Sequence, residues 1–143
     1  KSLISFLHLL RYSYQVHLLE AEQFSRQNHN NEAQASYAAA INSARSSGFI
    51  HEQGLACELA GHHHKKINDL QSAWSFFDQA KRCYTDWGSQ MKVDSVTRQL
   101  DSFQITRLLD HHCHLHRHRE VQAAAIRHAE RLIIHPRKRM VLD

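Results

Sequence analysis

Residues 17–48 slide onto residues 57–88 without a gap, and this self-match at an offset of 40 constrains the fold more than any other feature. Ala21 falls on Gly61, Ala33 on Ala73, Tyr37 on Phe77, Ala40 on Ala80 and Gly48 on Gly88. Each copy therefore reads small residue, Ala twelve on, aromatic four on, Ala three on. Small residues at helical spacing let two antiparallel helices approach closely, and an aromatic fills the wedge between neighbouring pairs. Composition agrees: the 143 residues include 4 Gly and 1 Pro. That is too few for a sandwich or barrel, which turns roughly every 8–12 residues, or for the glycine-rich phosphate loop of a nucleotide-binding α/β fold. An all-α chain with short polar connections remains.

Apolar residues at helical spacing (Leu3, Phe6, Leu7, Leu10, Tyr14, Leu18, Ala21, Phe24) predict one long helix or two over 2–27. Asn28–Asn30 reads as a polar turn with Asn30 as N-cap. A helix over 31–47 ends at Gly48, expected in the left-handed C-cap conformation. Helices over 50–66 and 70–87 follow, the second capped by Asn68 or Asp69 and closed by Gly88. Ser89 caps a helix running to about Leu115. A last amphipathic helix over 120–134 carries Val121, Ala125, Ala129 and Leu132 on one stripe, stopped by Pro136, with Arg137–Asp143 as a tail. Six or seven helices result. The aromatic residues Trp74, Phe76, Phe77, Tyr84 and Trp87 read as packing between helices, and Cys57 and Cys83 as small buried hydrophobes.

The spacing of small and aromatic residues resembles the tetratricopeptide pattern. It predicts antiparallel helix hairpins in a short right-handed solenoid over 1–103, with a His-rich, basic helical extension over 104–143. The stretches Gly48-Phe-Ile-His-Glu-Gln-Gly-Leu-Ala-Cys-Glu-Leu-Ala60 and Cys83-Tyr-Thr-Asp-Trp-Gly-Ser-Gln-Met-Lys-Val-Asp94 also resemble the helical-repeat segment of large multidomain sensor histidine kinases. Those proteins combine a kinase-like domain, an ATPase-type module, a solenoid, and GAF and histidine-kinase domains. The resemblance spans roughly residues 17–103 and implies a non-catalytic solenoid used for interaction or signal relay. His62-His63-His64 stands where that family has an aromatic pair, and residues 104–143 match nothing in it.

The chain carries 18 Lys+Arg against 14 Asp+Glu, and 14 His. With every imidazole protonated, the net charge of +4 becomes +18, so acid makes this a strongly cationic chain. Three cysteines without framework spacing read as reduced thiols of an intracellular compartment. No apolar run is long enough for a membrane span. Two histidine clusters stand out, 62–64 and 111–118. In the second, His112 and His116 lie one helical turn apart beside Cys113, and imidazole with thiolate suits Zn or Cu. His114 and His118 form a second such pair. A surface role without metal is the leading reading of both clusters. The C-terminal stretch is basic, with Arg117, Arg119, Arg127, Arg131, Arg137, Lys138 and Arg139 against Glu120 and Glu130. Such a patch suits an acidic protein or an anionic lipid surface. Aromatic residues for base stacking are absent after Phe103, which argues against nucleic acid.

No nucleophile elbow, zinc-protease motif or phosphate loop occurs, so the expected function is non-catalytic. The leading reading is a protein-interaction scaffold, an accessory subunit or solenoid fragment of a larger assembly. Alternatives are a metal- or pH-responsive module built on the His clusters, and a basic nucleic-acid-binding protein. A concave groove would present His17, Glu20, Gln23, Gln27, Gln53, Glu58, His62 and Lys65. The main partner contact is instead expected on residues 117–139, where Ile126 and Ile134 fall off the apolar stripe beside the arginines.

Overall fold

A computed structural model describes residues 2–134. Five α-helices account for them: α1 (Ser2–Arg26), α2 (Asn30–Ser47), α3 (Ile50–Lys66), α4 (Leu70–Trp87) and α5 (Gln90–Ile134). The described residues are all-helical apart from short turns, with no strand among them. None of these helices is long and apolar enough to cross a membrane. The chain divides into two units, Lys1–Phe103 and Gln104–Asp143.

Four turns set the architecture, and they fall every twenty residues. Asn28, Gly48, Asn68 and Gly88 all take positive φ, at 61°, 72°, 62° and 83°. At each, the turn residue's N–H bonds to the carbonyl three residues back, and the next N–H bonds five back. His29 N donates to Phe24 O at 3.0 Å, Phe49 N to Ala44 O at 3.2 Å, Asp69 N to His64 O at 2.9 Å and Ser89 N to Tyr84 O at 3.0 Å. This double closure satisfies the last carbonyls of each helix. Glycine was expected in this role. Asparagine fills it equally, because its short polar side chain tolerates the left-handed region. The start of α2 is corrected accordingly. With Asn28 ending α1, His29 takes the cap position without a side-chain bond, and Asn30 is already helical. Of the two caps expected for α4, Asp69 and not Asn68 fills the position, its carboxylate accepting from Ser72 N at 3.2 Å.

Twenty residues beyond Gly88 stands Leu108, which has no ease in that conformation. No Gly, Asn or Pro follows before Pro136. The helix therefore does not end near Leu115, and α5 runs through the stretch where two helices were expected.

In the first unit α1 packs on α2, α2 on α3 and α3 on α4. The register alanines Ala33, Ala40, Ala73 and Ala80 are all fully buried, as is Ala21. Their partners are aromatic. A Cβ added to Gly61 would stand 3.0 Å from the Phe77 ring, and one on Gly54 would stand 2.9 Å from the Tyr84 ring. These two glycines are there to let α4's rings lie directly against α3's backbone. Val96, Leu100 and Phe103 of α5 join the same core. Contacts recur forty residues apart: Tyr37 faces His63 with ring centroids 5.5 Å apart, and Phe77 faces Phe103 at 5.9 Å.

Neither tryptophan is a core residue: Trp74 and Trp87 are 44% and 49% exposed, although Trp87 does pack between helices. The buried face of α4 follows Ala73, Phe77, Ala80 and Tyr84. Trp74 sits about 100° round the helix from Ala73, and Trp87 reaches across to stack on His51 at 5.2 Å. Leu3 is also exposed, while the side chains of Phe6, Leu7 and Leu10 lie outside the described ones.

Replacing Ala73 with Leu should overpack the α3–α4 contact and cost about 1–3 kcal/mol. Urea unfolding followed by circular dichroism measures it.

Candidate functional site

The second unit offers a helix surface rather than a cleft. From His112 to Leu132 every side chain is exposed except Ala123, which is half-buried. Arg117, Arg119, Arg127 and Arg131 are thus all open to solvent. Ile126 is 55% exposed, and Leu115, Val121 and Leu132 are exposed with it. Ile134 is the last residue of α5. Arg137, Lys138 and Arg139 lie outside the described residues. Eleven residues bring an α-helix back to nearly the same side. Leu115 and Ile126 therefore share one face, and Val121 and Leu132 share another. Val121 and Leu132 thus hold the expected stripe, and Ile126 falls off it as expected, lying with Leu115 on a second apolar strip with arginines between. A shallow depression lined by His114, Arg117, His118 and Val121 lies along this helix.

The histidines of this segment lie on the same open surface. His112 and His116 are one turn apart, which suits two imidazoles to one ion. Cys113 is exposed but sits about 100° round the helix from His112. Among the described residues no three His, Cys, Asp or Glu side chains come together to hold a metal. His116 instead approaches Glu120, with Nδ1 3.7 Å from Oε1.

The other histidine cluster behaves quite differently. His62 is exposed and meets the Phe77 ring edge-on at 5.0 Å. His63 and His64 are buried, which corrects the expectation of a surface cluster. His63 Nδ1 lies 2.9 Å from Ser25 Oγ of α1, and its ring packs against Tyr37 of α2. Its Nε2 has no hydrogen-bond partner. Beside it Lys66 Nζ donates to Ser25 O at 2.6 Å. Burial, reinforced by the neighbouring His64 and Lys66 and opposed by Glu22, holds the His63 imidazole below its ordinary pKa. Near neutral pH it is therefore uncharged in the folded chain. His64 Nδ1 sits 3.0 Å from Asp69 Oδ2, and its ring stacks on Phe76. Two adjacent ring residues on a helix that also carries Ala56, Ala60 and Gly61 on its core side were the available signal for burial.

The residues expected to line a polar groove are less open than their composition implies. Glu58 accepts from Tyr84 Oη at 2.6 Å and from Lys92 Nζ at 3.0 Å. Lys65 donates to Gln99 Oε1 at 3.1 Å. Glu22 accepts from Tyr37 Oη at 2.5 Å. Gln53 and His17 are half-buried, and Glu20, Gln23, Gln27 and His62 remain exposed. Cys57 is buried as expected, and burial, with Cys83 nearby, pushes its thiol up to about 12. A thiol so disposed is a poor nucleophile and metal ligand. No protein-family model, curated protein or solved structure matches this chain.

His63 gives the fold an acid limb. Its pKa is below 6.5 in the folded chain and ordinary when unfolded, so the unfolded state binds the proton first as pH falls. Its contribution is present above pH 6.5 and is lost progressively below it. The melting temperature should fall between about pH 7 and pH 5, and His63→Phe should flatten that fall.

Proposed function

We propose that this chain is a non-catalytic helical-repeat scaffold for protein–protein interaction, whose principal partner contact is the α5 segment beyond Arg117. The observation that carries the reading is the exposure of that segment. Val121, Ile126 and Leu132 stand open to water beside Arg117, Arg119, Arg127 and Arg131. Apolar side chains rimmed by arginine make the composition of a contact surface before its partner arrives. The partner surface it suits is acidic with apolar recesses. Four arginines against Glu120 and Glu130 leave a positive balance in the described part.

The repeat reading of the first unit is that of a short tetratricopeptide-like solenoid. The forty-residue register of buried alanines and the paired ring contacts at Tyr37 and Phe77 support it. In this reading the chain is an accessory subunit, or the solenoid portion of a larger signalling assembly like the sensor kinases it resembles. Its three free thiols suit a reducing intracellular compartment.

Deleting residues 117–143 should abolish co-purification of the partner from native source and leave the helices of the first unit folded. Native affinity in the truncated chain would refute the assignment. Partner binding by the full chain should weaken as salt rises, since exposed arginines are screened. Binding to DNA or RNA with a comparable salt slope would favour the nucleic-acid reading instead.

A further inference from the structure

The first helix carries an apolar face that its counterparts in the same chain keep covered. The forty-residue register maps Tyr12, Val16, Leu19 and Gln23 of α1 onto Glu52, Ala56, Leu59 and His63 of α3. A second step reaches Lys92, Val96, Gln99 and Phe103 of α5. On α3 this face is closed: Glu52 is 6% exposed, Ala56 0% and His63 2%, and Leu59 packs against the core. What closes it is the preceding hairpin, through Ser25 on His63, Lys66 on Ser25 O and the Tyr37 ring on the His63 ring. On α5 the same positions are closed by α3 and α4, through Phe77 on Phe103, Lys65 on Gln99 and Lys92 on Glu58. On α1 they stand open. Tyr12 is 68% and Leu19 71% exposed, Val16 is half-buried, and Gln23 is exposed.

We infer that this face of α1 is the docking site for a further helical hairpin, supplied by another polypeptide segment that presents an aromatic ring from its second helix. The inference rests on the repeat register proposed above. The ring follows from the two internal examples. Tyr37 meets His63 and Phe77 meets Phe103, so the corresponding ring of an incoming hairpin meets Gln23. A depression lined by Leu19, Glu22, Gln23, Arg26 and Gln27 lies at that place on α1. Its polar rim of Arg26 and Gln27 supplies donors for a hydroxyl on the incoming ring, so tyrosine fits better than phenylalanine. A second copy of this chain has no free outgoing hairpin face to offer. The outgoing face of its α1–α2 hairpin is covered by α3, and that of its α3–α4 hairpin by residues 90–103.

The probe is the chain's own hairpin, supplied in register. A variant reading residues 1–48 followed directly by residues 9–143 places a copy of α2 ahead of an inner α1 with the spacing that Gly48 and Phe49 provide in the parent. It should unfold in one transition, with a melting temperature raised by roughly 3 °C or more. Leu19→Asp in the inner copy should remove that gain, whereas Leu19→Asp in the parent should shift melting by less than about 1 °C, the behaviour of an exposed site. A duplicated chain that melts at the parent's temperature, or one in which inner Leu19→Asp changes nothing, overturns the docking face. Val96→Asp in the parent separates this from the register itself. It should lower the melting temperature sharply, and an unchanged melt would overturn the register and the docking face together.

Discussion

Phe77 and Tyr84 lie so close to α3 that a Cβ at Gly61 or Gly54 would press into their rings. The first unit depends on that proximity. Large rings can enter between helices only where the facing helix has shed its own side chains. Ala56, Ala60 and Gly61 on α3, and Ala73 and Ala80 on α4, provide the space. Close packing then recovers dispersion contacts that larger, poorly matched side chains would forfeit. It also explains how little bulky aliphatic material the core contains. Among its fully buried members are Ala, Cys, Phe and Val, with Tyr84 1% exposed. Aromatic hydroxyls at its edge are satisfied by carboxylates, as in Tyr84 with Glu58 and Tyr37 with Glu22. Those acids are drawn inward from a surface their composition alone would assign to solvent.

Much of this was legible in the sequence because small residues have one use in a helix interior. An alanine or glycine that recurs with an aromatic at a fixed interval marks a close approach, and the burial of Ala33, Ala40, Ala73 and Ala80 follows. The positions of Gly48 and Gly88 were readable for the same reason, since glycine beyond a helical run takes the left-handed cap. Asn28 and Asn68 were harder. Asparagine caps helix starts as readily as it closes helix ends, and sequence spacing does not separate the two roles. Trp74 was misleading because it lies three residues before Phe77 and so near its side of the helix. Trp74 is one position away from the core face, and one position is enough.

The candidate site was less legible, for a physical reason. Histidine is chemically ambiguous, and His63 and His112 look alike in a string of letters. One is enclosed by Ser25, Tyr37 and Lys66, and the other is open to water. What separates them is the side of the helix each sits on, and the self-match did not reveal it, since the copy of His63 is Gln23, which is exposed. The segment after Phe103 has no internal copy to compare at all. The length of α5 was hidden similarly. Its continuation depends on a turn residue that is missing at position 108.

Two ring contacts forty residues apart are alike in geometry and unlike in substance. One places the His63 imidazole of α3 against Tyr37 and Ser25, and the other places the Phe103 ring of α5 against Phe77 of α4. Hydrocarbon contact is indifferent to protons, whereas the imidazole seam survives only while it stays uncharged. The first unit is accordingly anisotropic in its response to its surroundings. Acid is expected to weaken the His63 contact with α1 and α2 before the Phe77–Phe103 contact, so the amide protons on either side of His63 should exchange together through a partial opening.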